Sequence, residues 1–189
     1  AIVGAASLIG RELVELIHEQ KLPVATHLFS GEPESVGGNI AVEDGEPVFY
    51  EPLSKESLSG VQFVLLAGAA ESSERALKFA PRASRLIDIT GALDQKREAA
   101  FRSPYAEPAP PPDTDAANAR LTVSADPAAA ALALLLARLE TAAKIRSAVV
   151  TVFEPASERG QAGVAELQKQ TAALLTFQKM PSAVYDTQA

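Results

Sequence analysis

The sequence predicts an α/β protein built on a parallel sheet, and three observations carry that prediction. Apolar runs of strand length alternate with segments of helical periodicity through the first 125 residues, which is the doubly wound pattern. Val61 to Ala67 is a continuous apolar run ending at Gly68, as suits a strand buried on both faces. The chain opens on Ala1-Ile2-Val3-Gly4-Ala5-Ala6-Ser7-Leu8-Ile9-Gly10, a strand end passing through a glycine turn into a helix. That opening is the start of a Rossmann-type nucleotide-binding βα unit, in which the turn approaches a pyrophosphate and the helix N-terminus offers it free N–H groups. The spacing is G-x-x-G-x-x-G with Ser7 in the place of the middle glycine. Gly4, Ser7, Leu8, Ile9 and Gly10 are thus candidate cofactor contacts. Gly4 and Gly10 are equally suited to a tight turn and close packing, and Ser7 to capping the helix.

Each further element has its own warrant. Leu8 to Gln20 reads as a helix with Leu8, Ile9, Leu13, Leu16 and Ile17 on its apolar face, ended by Pro23. Val24 to Phe29 reads as the second strand and Gly31 to Gly38 as a loop. Ile40 to Val42 and Pro47 to Tyr50 form a hairpin pattern around Asp44-Gly45. Ser72 to Ala80 is a helix, with Glu71, Ser72, Ser73 and Glu74 capping and charging its start. Leu86 to Thr90 is the next strand. Pro104, Pro108, Pro110, Pro111 and Pro112 make the stretch to Asp115 extended and polyproline-like. Leu121 to Ser124 is a short strand. Asp126-Pro127 is an N-cap followed by proline at the first helical position. The helix that follows, to about Thr141, is apolar nearly all round and is expected to be buried. Ser147 to Phe153 reads as a strand. Ala162 to Leu175 reads as an amphipathic helix with Val164, Leu167, Thr171 and Leu174 on one face.

Composition narrows the function. The 189 residues are 47% hydrophobic but only 5% aromatic, so the core is Ala, Leu and Val packed as helices on a sheet. A net charge of −7 and a pI near 4.9 argue against nucleic-acid partners, which reward basic surfaces. Cysteine is absent, which excludes disulfides, thiolate metal sites and cysteine nucleophiles. His18 and His27 have no ligand-spaced partner, so no metal is expected. No apolar run reaches the roughly 18 residues of a membrane span, so a cytoplasmic location is expected, with no membrane partner.

Several segments together resemble the aspartate-semialdehyde dehydrogenase family. The Gly4–Gly10 turn is similar to its first phosphate loop. Phe63-Val64-Leu65-Leu66-Ala67-Gly68-Ala69-Ala70 resembles the strand and small-residue turn that lie along its cofactor, which adds Ala67 and Gly68 to the candidate contacts. Leu86-Ile87-Asp88-Ile89-Thr90-Gly91-Ala92-Leu93-Asp94 resembles its aspartate-asparagine-serine-serine stretch. Val149 to Val164 resembles the strand, glycine loop and helix entry of its second domain. The resemblance implies a nucleotide-binding domain over 1–125 and part of an α+β dimerisation and substrate domain over 126–189. It also implies a homodimer, and a chain that is part of a longer protein.

The chemical positions depart from that family. Its cysteine nucleophile falls on Ala128, its nearby glutamine on Glu154, and the arginine that binds anionic substrate on Asp94. The arginine facing the 2′-phosphate of NADP falls near Glu32, in the loop that begins at Ser30. The family's histidine acid–base lies farther along than this chain reaches. The pattern is similar to that of the family's cysteine-free USG-type paralogues. The resemblance then implies a semialdehyde-dehydrogenase-like protein without the parent activity, binding NAD or NADP weakly with NAD favoured. Two other readings stay open: a dimeric interaction scaffold, and an oxidoreductase acting on another carbonyl without covalent catalysis. Capping for Asp126, a solvated strand end for Glu154 and a solvated turn for Ser157 to Arg159 need no catalytic role.

Overall fold

The computed structural model describes residues 1–31, 40–43, 46–107 and 118–177. Six parallel strands form the sheet in the order β2-β1-β5-β6-β8-β7. They are β1 (Ile2–Val3), β2 (Leu28–Phe29), β5 (Phe63–Leu66), β6 (Arg85–Asp88), β7 (Ala99–Arg102) and β8 (Leu121–Ser124). A separate antiparallel hairpin pairs β3 (Ile40–Glu43) with β4 (Glu46–Phe49), and its turn at Asp44-Gly45 lies outside the described residues. The helices are α1 (Leu8–Glu19), α2 (Ala70–Phe79), α3 (Pro127–Glu140) and α4 (Gly160–Leu175). The expected α/β architecture is thus present.

Alternation along each strand divides the core between the two sheet faces. Val3, Val64, Leu66, Leu86, Leu121 and Val123 face one way and close over Ala76 of α2 and Ala80 at its C-cap. Ile2 faces the other way, with Ala5 and Tyr50, and packs under Leu13, Val14 and Ile17 of α1. The sheet-facing stripe of α1 therefore runs through buried Gly10 and half-buried Leu13, Val14 and Ile17. Ile9 and Leu16, expected on that face, are exposed at 43% and 51%. They lie about 100° round the helix from the stripe, because Gly10 sets the closest approach to the sheet.

The Pro104–Asp115 stretch falls largely outside the described residues. Strand β7 carries no sequence signal, since Ala-Ala-Phe-Arg is short and nearly featureless; it forms because β8 offers an unpaired edge.

Three expectations for the C-terminal third are corrected. Ser147 to Phe153 is not a strand: it forms no regular element and pairs with no described strand, and Val149 and Phe153 are 100% and 92% exposed. A β-pattern becomes a strand only when a neighbour accepts its ladder of hydrogen bonds. Helix α3 is not buried, and none of its residues falls in the core. It follows the end of β8, and its residues are half-buried or exposed along its whole length. Helix α4, which contacts α1, buries Gly163, Glu166 and Ala173, not the stripe of Leu167 and Leu174.

Candidate functional site

The site forms where the sheet reverses its winding. From β1 the chain steps to β2 on one side and then crosses to β5 on the other, so the ends of β1 and β5 flank the switch point at which open α/β sheets bind ligands. Three glycine backbones meet there. Gly4 follows β1 at φ +88°, Gly31 lies past β2 at φ +81°, and Gly68 follows β5. A Cβ on Gly4 would overlap the backbone of Gly68, and one on Gly31 would come within 2.7 Å of the Gly4 Cα. The strand ends are drawn so close that only backbone fits between them. Gly10 likewise packs its helix onto the carbonyl of Gly4 and the backbone of Ala5.

Ser7 spends its hydroxyl on the protein. Its Oγ accepts from the Gly10 N–H at 2.9 Å, which makes it the N-cap of α1, and donates to the Ala67 carbonyl at 2.7 Å. The cap thereby ties the first turn to the end of β5. The first-turn N–H groups of Leu8 and Ile9 have no intrahelical acceptor by helix geometry, and both residues reach the surface. Those two amides at the positive end of α1 are the donors an anion would meet. Ser30 and Ala67 stand beside them at the ends of β2 and β5, half-buried and buried respectively. Glu32 lies outside the described residues.

The serines after Gly68 do not cap α2. Ala69 holds the N-cap position and makes no side-chain bond there. Ser72 instead donates to the Ala69 carbonyl at 2.8 Å, and Ser73 is fully buried. Both residues fall inside the first turn, three and four positions past the N-cap, too late to act as caps.

The next strand end is ordered by a buried carboxylate. Asp88, fully buried at the end of β6, accepts from the Thr90 N–H and hydroxyl through Oδ1, both at 3.0 Å. Through Oδ2 it accepts from the Leu93 N–H at 2.7 Å. Farther along, Lys96 Nζ donates to Glu74 Oε1 on α2 at 2.8 Å. That hydrogen bond, reinforced by the two charges, holds Glu74 below the ordinary carboxylate range and raises Lys96 above the ordinary lysine range. Asp88 and Lys96 are absent from the candidates drawn from sequence. The signal was the Asp-x-Thr-Gly run, which is the signature of an Asx turn.

Ala128 is the second residue of α3, half-buried, and starts from the end of β8 beside Asp88 and its loop. Asp126 caps that helix as expected, accepting from the Ala129 N–H at 2.9 Å. Asp94 is exposed on the Asp88 loop, and Glu154 is exposed in the unpaired segment before the 3₁₀ turn Ala156–Arg159. The switch point thus gathers Gly4, Ser7, Leu8, Ile9, Gly10, Gly31, Ala67 and Gly68, with Ala128 on the same sheet edge. A cavity of about 600 Å³ lies at the opposite end, among Ile17, Leu22, Phe63 and Ile87, and does not reach the glycines. Among the described residues no acidic, histidine or cysteine cluster could hold a metal, and no helix is long and apolar enough to cross a membrane.

The profile of one family, described as semialdehyde dehydrogenase, NAD binding domain, matches residues 1–109. The chain belongs to that family. It is 29% identical to a USG-1 protein homolog of Azotobacter vinelandii over 100% of this chain and 55% of that protein. It is 27% identical to an aspartate-semialdehyde dehydrogenase of Aquifex aeolicus over 97% of this chain and 54% of that one. It thus spans about half the length of the curated relatives it matches. Among solved structures, aspartate semialdehyde dehydrogenase II of Vibrio cholerae complexed with ASA superposes with a TM-score of 0.79 at 22% identity, over 99% of this chain and 55% of that one. A probable aspartate-semialdehyde dehydrogenase of Pseudomonas aeruginosa superposes at 0.68 with 25% identity, over 99% and 55%. The fold is therefore the NAD(P)-binding fold of the aspartate-semialdehyde-dehydrogenase type, and the family points to a nicotinamide cofactor.

Proposed function

We propose that residues 1–125 are the dinucleotide-binding domain of an aspartate-semialdehyde-dehydrogenase-like protein that lacks the parent reaction, and that 126–189 begin its second domain. The observation that carries the reading is the alanine at position 128, placed on the second residue of a helix at the cofactor edge of the sheet. A thiolate there would be activated by the helix N-terminus, whereas a methyl group has no lone pair to offer a carbonyl. A dinucleotide would lie across the ends of β1, β2 and β5, beside the closely packed turn of Gly4, Gly31 and Gly68. The amides of Leu8 and Ile9 would hold the pyrophosphate, and a bound nicotinamide would supply hydride chemistry. The chain's own part is to position that cofactor and to shield it from water. A cytoplasmic location accompanies this reading.

NAD is the preferred cofactor, and its binding is weak. The loop after β2 carries Glu32 and Glu34, whose charge repels a 2′-phosphate and suits a free ribose hydroxyl. Ser7 places a side chain where a glycine would let the backbone come nearest the pyrophosphate. Calorimetry with each cofactor is expected to give NAD the tighter binding, and Glu32→Arg to reverse the order. Tighter NADP binding by the unaltered protein would overturn the assignment.

The second domain also supports a homodimer. Leu135 and Leu139 of α3, and Val149, Val150, Val152 and Phe153 beyond it, are apolar and exposed together. Light scattering at micromolar concentration is expected to give twice the chain mass. A strict monomer would leave that surface to another protein, as an interaction scaffold requires.

A further inference from the structure

We propose that the loop from Asp88 to Lys96 is a preset lip for the nicotinamide-bearing half of the dinucleotide, with Asp88 and the Glu74–Lys96 pair as its positioning residues. The inference rests on the dinucleotide reading above. With the pyrophosphate over the α1 amides and the adenosine toward β2, the other half of the ligand must extend the opposite way, across the ends of β5 and β6. The Asp88 loop borders that path. The Ile89 N–H donates to the Leu66 carbonyl at 3.0 Å, so the loop leaves the sheet alongside Ala67 and Gly68.

The loop is held at both ends, while its middle stays open. Both oxygens of Asp88 are spent on Thr90 and Leu93, and the Leu93 side chain is sunk in the core at 1% exposure. Lys96 then fastens the far end to α2, the helix that starts just past Gly68. Between the anchors Thr90 is exposed, and a Cβ on Gly91 would meet nothing within 4 Å, so the middle of the loop faces open space. An exposed ion pair such as Glu74–Lys96 adds little to stability. What it does is fix a surface loop in advance, which removes the ordering cost a ligand would otherwise meet.

The test is calorimetry of the full chain with NAD and with ADP, which carries only the adenosine and pyrophosphate portion. Glu74→Gln and Lys96→Met are expected to weaken NAD about fivefold, the scale of ordering one or two side chains on binding, and to leave ADP affinity and melting temperature unchanged. Asp88→Asn is expected to show the same selective loss, with a lower melting temperature as well. Equal loss of NAD and ADP would make the pair merely structural and overturn the proposal. NAD affinity unchanged in Glu74→Gln and Lys96→Met, with ADP still bound, would overturn the lip alone. Failure of the unaltered protein to bind either ligand would overturn the dinucleotide reading and the lip with it.

Discussion

Mixed with aspartate semialdehyde, phosphate and either NAD or NADP, the protein is expected to form no measurable reduced cofactor. Enzymes of ordinary speed turn over about once per second or faster. Removing a covalent nucleophile costs several orders of magnitude, so a rate below about 10⁻³ per second is expected here. The physical reason is local to α3. Asp126 caps the helix through the Ala129 N–H, and the polarised first turn that would stabilise a thiolate is intact, yet the side chain on its second residue is a methyl group. Ala128→Cys alone is not expected to restore turnover. On the resemblance to the family, Asp94 would still present a negative charge at the position of its substrate-binding arginine, and Glu154 an acid at the position of its glutamine. Stopped-time absorbance at 340 nm on the unaltered protein decides the matter, and turnover near one per second would refute it.

How much of this was legible in the sequence depends on where each signal resides. The Gly4–Gly10 turn and the Val61–Gly68 strand are local patterns whose physics is complete within ten residues, and both appear where the pattern places them. Ser7 and Asp126 were readable as caps for the same reason. The face of α1 was only partly readable, because periodicity marks an apolar sector whereas the close contact at Gly10 selects the exact line within it. The fate of Ser147 to Phe153 was not readable at all. Its composition suits a strand, but pairing is a property of a neighbour, and no described residue takes that place. Helix α3 failed by the same logic: an apolar surface says that something should cover it, not that this stretch of chain does. At the site, the glycines were visible as turn residues, but that Gly4 packs against both Gly31 and Gly68 is a product of strand order. Asp88 was hidden because one aspartate in a resembling stretch does not announce which amides it will bind.

Gly4→Ala is expected to be among the most destabilising single changes in the domain. Two costs fall on one residue. The backbone at φ +88° lies in the region L side chains avoid, and the added Cβ would overlap the Gly68 amide and the Ala67 carbonyl carbon. Those are backbone atoms of a strand end fixed by the bond from the Ala67 N–H to the Val3 carbonyl at 2.8 Å, so they cannot swing aside as a side chain would. Strain together with overlap places the loss at about 4 kcal/mol, and a domain of this size then melts roughly 8 to 16 °C lower. Gly60 and Gly91 separate the two costs. Their φ values are +78° and +73°, but a Cβ on either meets nothing within 4 Å. Gly60→Ala and Gly91→Ala are therefore expected to lose only the conformational part, about 1 kcal/mol. Thermal melts of the three variants side by side provide the measurement. If Gly4→Ala melts no lower than Gly91→Ala, the strand ends can part to admit a methyl group, and the closeness of Gly4 to Gly68 is not what fixes glycine there. If it melts far lower, glycine is demanded by the protein's own backbone before any pyrophosphate approaches the turn.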